Sequence, residues 1–170
     1  LGEIYNSADK YVQKIVIPNK KETKNILLWR NSDFSKIEGA IKKGGDWILV
    51  IKSGINVLKG DNFVFVYPEL LRNKIIVRKG EVITSEILGE NDFQYKNINL
   101  KIKTLLRKTR DKIKSRGSIV KEITTRGDFI KKIRDELKMN QNNKYRLDVV
   151  SLKDSKTAES IIVDLNITKF

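Results

Sequence analysis

The pattern of apolar residues starts over partway along the chain, and that recurrence limits the fold more than any single motif. Ile4, Ala8 and Ile15 fall on Ile102, Leu106 and Ile113, and Ile37 and Ile41 fall on Ile133 and Leu137. Trp47, Leu49, Ile51 and Ser53 fall on Tyr145, Leu147, Val149 and Ser151, while Phe63, Phe65 and Tyr67 fall on Ile161, Val163 and Leu165. A nearly constant offset across four elements points to tandem copies of one structural unit. The expected fold is therefore α/β in the mixed α+β sense, a tandem duplication of an α-β-α-β-β unit forming two lobes with pseudo-two-fold symmetry. The first repeat is placed at 1–90 with an extra β-hairpin and the second at 91–170. A repeat of about 70 to 90 residues is marginal alone and gains by sharing a core, so one integrated globular unit is expected.

Local signals supply the elements. Ile4, Ala8, Tyr11, Val12 and Ile15 fall at helical spacing, and the helix should end before Pro18. Ile26 to Trp29 reads as a short strand, and Ser32 or Asp33 then caps a helix carrying Phe34, Ile37 and Ile41. Gly44 and Gly45 stop that helix. Trp47 to Ile51 and Phe63 to Tyr67 are continuous apolar runs of the kind expected in strands covered on both faces, with a turn at Gly60-Asp61-Asn62 between them. Lys74 to Val77 and Val82 to Ile87 read as two strands joined at Lys79-Gly80. In the second half, Ile98, Ile102, Leu105, Leu106 and Ile113 stripe a helix that closes near Gly117, and Ile119 to Ile123 reads as a strand. Asp128 then opens a helix with Phe129, Ile130, Ile133 and Leu137, followed by strands at Tyr145 to Val150 and Ile161 to Leu165.

The side-chain inventory narrows the chemistry. The chain has neither histidine nor cysteine, which removes imidazole general bases, thiolate nucleophiles, disulfides and the usual zinc sites. Carboxylates with Mg²⁺ or a Ser-Lys pair are what is left for catalysis. Asp46, Asp61 and Glu81 each adjoin a glycine, where a turn already calls for a polar residue. Gly44-Gly45 follows a helix instead of opening one, the wrong order for phosphate capture. No catalytic residue, metal or cofactor is assigned on these grounds, and a Mg²⁺-dependent nuclease ranks third among the functions considered. No apolar run reaches the length of a membrane span, so direct membrane insertion by this segment is not expected. The single methionine is Met139, so Leu1 is read as lying within a longer protein.

Thirty-five Lys and Arg stand against 21 Asp and Glu, for a net charge of +14. Such a balance favours nucleic acid, another polyanion or an acidic protein as partner, although Lys, Ile and Asn are also the residues an AT-rich genome supplies. The charge concentrates on the helix near 99–116, where Lys101, Lys103, Arg107, Lys108, Arg110, Lys112, Lys114 and Arg116 face one acid, Asp111. This row could lie along phosphates, or it could be the solvated face that any amphipathic helix needs. No aromatic residue interleaves with it to stack on bases.

Asn56-Val57-Leu58 with Gly60, then Asn73 with Val77 and Gly80-Glu81, and later Gly117-Ser118 leading to Phe129, Ile133 and the Tyr145 strand, together span nearly the whole chain. In these positions the chain resembles the C-terminal region of the bacterial domain of unknown function 3084 family, although it is richer in lysine. The resemblance implies an upstream membrane helix and a long coiled coil, with this globular part as a tail on the cytoplasmic face of the inner membrane. It implies no catalytic residues. The expected function is a non-catalytic interaction or oligomerisation module, with a protein partner or self-association. A nucleic-acid-binding module is the alternative.

Overall fold

The computed structural model describes residues 1–18, 25–89, 92, 95–125, 127, 133, 135 and 144–169. Packing divides the chain into two compact units, Leu1–Arg72 and Asn73–Phe170. The first contains α1 (Gly2–Val16), β1 (Leu27–Leu28), α2 (Asn31–Lys42), β2 (Trp47–Ser53) and β3 (Val64–Arg72). The second contains β4 (Ile75–Val77), β5 (Val82–Leu88), α3 (Tyr95–Ser115), β6 (Ile123–Thr125), β7 (Tyr145–Ser151), β8 (Ser155–Lys156) and β9 (Ile161–Lys169). The fold class is mixed α+β.

In the first unit, β3 is the central strand of a three-stranded sheet, with β1 parallel on one side and β2 antiparallel on the other. Val16, Ile17, Ile26, Leu27 and Val64 form its core, with Tyr5, Ala8 and Val12 of α1 packed against them. The buried face of α1 is thus Tyr5, Ala8, Asp9, Val12 and Val16. The expected face is one residue out of phase, and Ile4, Tyr11 and Ile15 are exposed. The physical reason is Asp9. Its Oδ1 accepts hydrogen bonds from the amides of Ile26 and Leu27 at 2.8 and 2.7 Å, and its Oδ2 accepts one from Gln13 Nε2 at 2.6 Å. A carboxylate that satisfies two buried amides turns the helix towards β1, overriding the apolar count. The Tyr5 hydroxyl donates to the Leu27 carbonyl, and burial, then the neighbouring Asp9 charge, raises its pKa.

Neither apolar run of this sheet is covered on both faces. Phe63, Phe65 and Tyr67 are exposed while Val64 is buried, an alternation of period two that places the aromatic residues on the face opposite the core. β2 is an edge strand of intermediate burial. Its first residue, Trp47, lies under the Arg72 guanidinium, 3.7 Å from the ring centroid, and donates from Nε1 to the Gly44 carbonyl at 3.1 Å. Gly45 has a φ of +116°, and a Cβ there would meet Arg72 Nη1 at 2.0 Å, so the helix stop and the Trp-Arg stack require glycine together.

The second unit has a larger core, which includes Ile83, Leu88, Ile102, Leu105, Leu147 and Val163. Its four-stranded sheet runs β5-β7-β9-β6, with β5 and β9 antiparallel to β7 and β6 parallel to β9. The expected hairpin of Lys74–Val77 and Val82–Ile87 does not form. The turn exists, with Gly80 at φ +77°, but β4 pairs with β8 and β5 with β7. Both strands therefore pack with the C-terminal unit, and the compact units part at Arg72/Asn73, not at the 90/91 boundary drawn from the repeats. Strand β6 begins at Ile123, later than expected, and Ile119 is exposed. Of the helix expected from Asp128, Ile133 is helical and buried, whereas Phe129, Ile130 and Leu137 lie outside the described residues.

Several strand pairings of the first unit have counterparts in the second. Leu27 pairs with Val64 as Ile123 pairs with Ile161, and Ser53 pairs with Val66 as Ser151 pairs with Val163. Trp47 pairs with Arg72 as Tyr145 pairs with Lys169. On the helices, Tyr5, Ala8, Asp9, Val12 and Val16 repeat the spacing of Ile102, Leu105, Leu106, Thr109 and Ile113, all at least half-buried. By this register Val64, not Phe63, corresponds to Ile161, and Tyr5, not Ile4, corresponds to Ile102.

Removing the Asp9 carboxylate strands two buried amides, so Asp9→Ala should destabilise the protein by about 2–4 kcal/mol. Asp9→Asn keeps an acceptor oxygen and should cost about 1 kcal/mol or less. Urea unfolding of the two variants beside the parent chain measures both.

Candidate functional site

The strongest charged feature is α3. Its register follows from Ile98, Ile102, Leu105, Thr109 and Ile113, which are buried at intervals of three and four and turn the lysines and arginines outward. Thr109 was not expected in this stripe. Its hydroxyl donates to the Leu105 carbonyl at 2.8 Å and meets the Thr84 hydroxyl of β5, so a polar residue sits in the core without an unmet donor. Gly117, at φ +102°, ends the helix, and the amides of Gly117 and Ser118 donate to the carbonyls of Lys114 and Ile113.

The eight basic residues do not form one free face. Lys108 Nζ lies 2.7 Å from Glu86 of β5, and Lys101 Nζ lies 3.8 Å from the same carboxylate and 3.5 Å from Asp92. Arg116 pairs with Glu81 at 2.6 Å and donates to the Ile76 carbonyl at 3.2 Å. Lys112 contributes to the field at Glu81. The remaining four, Lys103, Arg107, Arg110 and Lys114, recur every three or four residues and make an exposed stripe about 16 Å long. Among the described residues no carboxylate is within ion-pair distance of them. The sequence-level view of a row facing Asp111 alone is corrected by Glu81, Glu86 and Asp92, which tertiary packing brings to the helix. Helical spacing does not mark Glu86 or Asp92 as partners, because both lie outside the helix.

Of the positions on which the resemblance rests, Gly60, Gly80 and Glu81 lie in turns. Gly60, at φ +99°, donates its amide to the Val16 carbonyl at 2.7 Å, and Leu58 N donates to Asp61 Oδ2 at 2.8 Å. Asn56 and Leu58 are exposed, and Val57 packs against the core of the first unit. Asn73 opens the second unit. Gly80 donates to the Ser151 carbonyl at 2.8 Å, and the Glu81 carboxylate accepts from the Arg78 amide at 3.0 Å. Asp61 and Glu81 thus each close their own turn. Among the described residues no three His, Cys, Asp or Glu side chains gather as a metal site would require, and no helix is long and apolar enough to cross a membrane. Among the described residues of the first unit, a hollow of about 540 Å³ is bounded by Trp29, Arg30, Asp33, Phe65 and Tyr67. Another, of about 500 Å³ and mostly apolar, lies between α1, residues 57–59 and the ends of β2 and β3.

No family model, curated protein or solved structure matches the chain.

The Arg78 amide, then the Arg116 guanidinium, holds the Glu81 carboxyl below its ordinary pKa, against an opposing push from partial burial. A folded-state pKa below the unfolded one gives stability that is whole above the ordinary carboxylate value and is lost as pH falls through the lowered value. Glu81→Gln should therefore destabilise by about 1 kcal/mol at neutral pH, a size limited by solvent around the pair. The gap from the parent chain should close on acidification through the carboxylate range, as thermal unfolding against pH would show.

Proposed function

We propose that this chain is a non-catalytic interaction or oligomerisation module, carried as the tail of a membrane-tethered coiled-coil protein. The observation that carries the reading is the set of large apolar side chains the first unit leaves in solvent. Ile4, Tyr11, Ile15 and Leu58 are exposed near α1, and Phe63, Phe65 and Tyr67 are exposed on the open face of the sheet. Clusters of this kind mark surfaces that are covered in an assembly. The coiled-coil tether and the cytoplasmic placement rest on the family resemblance alone. Sedimentation of the 170-residue chain should reveal an assembly larger than one copy or a complex with a purified partner. The full-length product should fractionate with membranes, its tail open to protease only from the cytosolic side. A tail that stays monomeric and retains no protein would count against the reading.

A second reading, binding of nucleic acid, is favoured by the stripe Lys103, Arg107, Arg110 and Lys114, which has no ion-pair partner among the described residues. On that reading, Lys103→Glu with Arg107→Glu weakens duplex binding by at least about tenfold and lowers the salt slope by roughly 2. Lys101→Glu, at a residue already paired with Glu86 and Asp92, changes it less. Titrations across salt decide, and binding indifferent to both variants ends the idea.

A further inference from the structure

The two units differ at one edge. In the second, β7 carries β5 on the side away from β9, antiparallel over Val82–Leu88. In the first, β2 holds the place of β7, and among the described residues no strand pairs with its outer side. The helix above records the same difference. Lys101 and Lys108 of α3 reach over β5 to Glu86. At the matching positions α1 has Ile4 and Tyr11, and a turn further on it has Ile15. Tyr11 is 67%, Ile15 57% and Leu58 70% exposed. With Ile51 and Val57, these last three line the apolar groove of about 500 Å³ beside β2. An unpaired strand edge thus lies where the second unit places a strand, and the groove opens on the core face of the sheet next to it, between α1 and the ends of β2 and β3.

We propose that β2 and the outer flank of α1 are a docking site for a second copy of this chain, whose own β2 adds antiparallel to the edge and extends the sheet across a two-fold axis. This rests on the oligomerisation reading and names its surface. The sister unit shows the kind of occupant the edge takes, an antiparallel strand of seven residues, and β2 is itself a seven-residue strand. A strand meets its own copy antiparallel about a two-fold axis, so one contact closes both edges. The side chains agree. β5 offers Glu86 to a lysine flank, whereas a second β2 offers Leu49 and Ile51 to the apolar flank of Tyr11 and Ile15. The one charge in β2, Lys52, is paired with Glu69 of its own unit, and Lys59 is the single charged side chain among the residues that line the groove. An open apolar edge is otherwise an aggregation hazard that folded proteins cover.

Sedimentation equilibrium of the 170-residue chain should show a monomer-dimer equilibrium with a Kd between about 1 and about 100 μM. Added salt should tighten it, because the +14 charge opposes association. Tyr11→Lys with Ile15→Lys, both at exposed positions that leave the fold intact by circular dichroism, should weaken the dimer by at least about 100-fold. The equally exposed Leu100→Lys on α3 should not. Because the chain has no cysteine, single cysteines placed in turn from Ile48 to Lys52 should form an intermolecular disulfide most readily at one central position, with Val50 expected. A dimer that ignores the double variant and cross-links nowhere along β2 overturns this surface while leaving oligomerisation standing. A chain that is monomeric throughout overturns self-pairing, and the wider reading then depends on a different protein partner. Protection of β2 amides by a β5-sequence peptide in such a monomer would assign the edge to a foreign strand and would likewise overturn the second copy.

Discussion

Each unit is organised around one strand that takes a short parallel neighbour on one side and a long antiparallel one on the other. β3 does this in the first unit and β9 in the second. Once those two pairings are set, the helix that precedes the parallel strand must pack on the core side of the sheet, since that is where the strand's buried residues point. Val64 and Ile161 are the buried residues that register with the parallel strands, opposite Leu27 and Ile123. The matching register allows the open edge of β2 to be recognised at all, because it defines what a filled edge looks like on the same framework.

The same framework is stabilised in two different ways. The first unit has a small core and relies on polar links, with Asp9 tying α1 to the amides at the start of β1 and Tyr5 adding a bond to Leu27. The second has the larger core, and its polar residue at the helix-sheet contact is a threonine satisfied by its own helix and by β5. A buried carboxylate costs desolvation unless its oxygens are met, and Asp9 meets two amides and a side-chain amide, so it is a constraint on geometry as much as a source of stability. Charge follows the same division. The lysines over β5 are neutralised by Glu86 and Asp92, and the equivalent flank of α1 is apolar.

Much of the fold was legible in the chain. Helices α1, α2 and α3, the glycine stops after α2 and α3, and strands β2, β3, β7 and β9 follow from spacing and turn chemistry. The misreadings have specific causes. Apolar count points to a face of α1 one residue away from the buried one, at whose centre the polar Asp9 sits. The near-constant offset sets Phe63, Phe65 and Tyr67 on buried residues of the second half, yet strand alternation puts Val64 inside. β4 and β5 are consecutive strands joined by a tight turn, and whether such strands pair depends on partners in β7 and β8, far along the chain. The candidate site was half legible, since helical spacing identifies the basic residues and says nothing of which carboxylates reach them.

What the sequence determined by itself was the class of fold and a chemistry without imidazole or thiol, because periodicity, turn residues and side-chain inventory are local properties. What only the tertiary structure decided was the assignment of β4 and β5 to the second unit, the neutralisation of Lys101, Lys108 and Arg116, and the position of β2 at the edge of its sheet among the described residues. Each of these depends on contacts between residues far apart in the chain. Hydrogen-bond ladders and ion pairs of that kind are set by which surfaces meet, and no short window of residues encodes that.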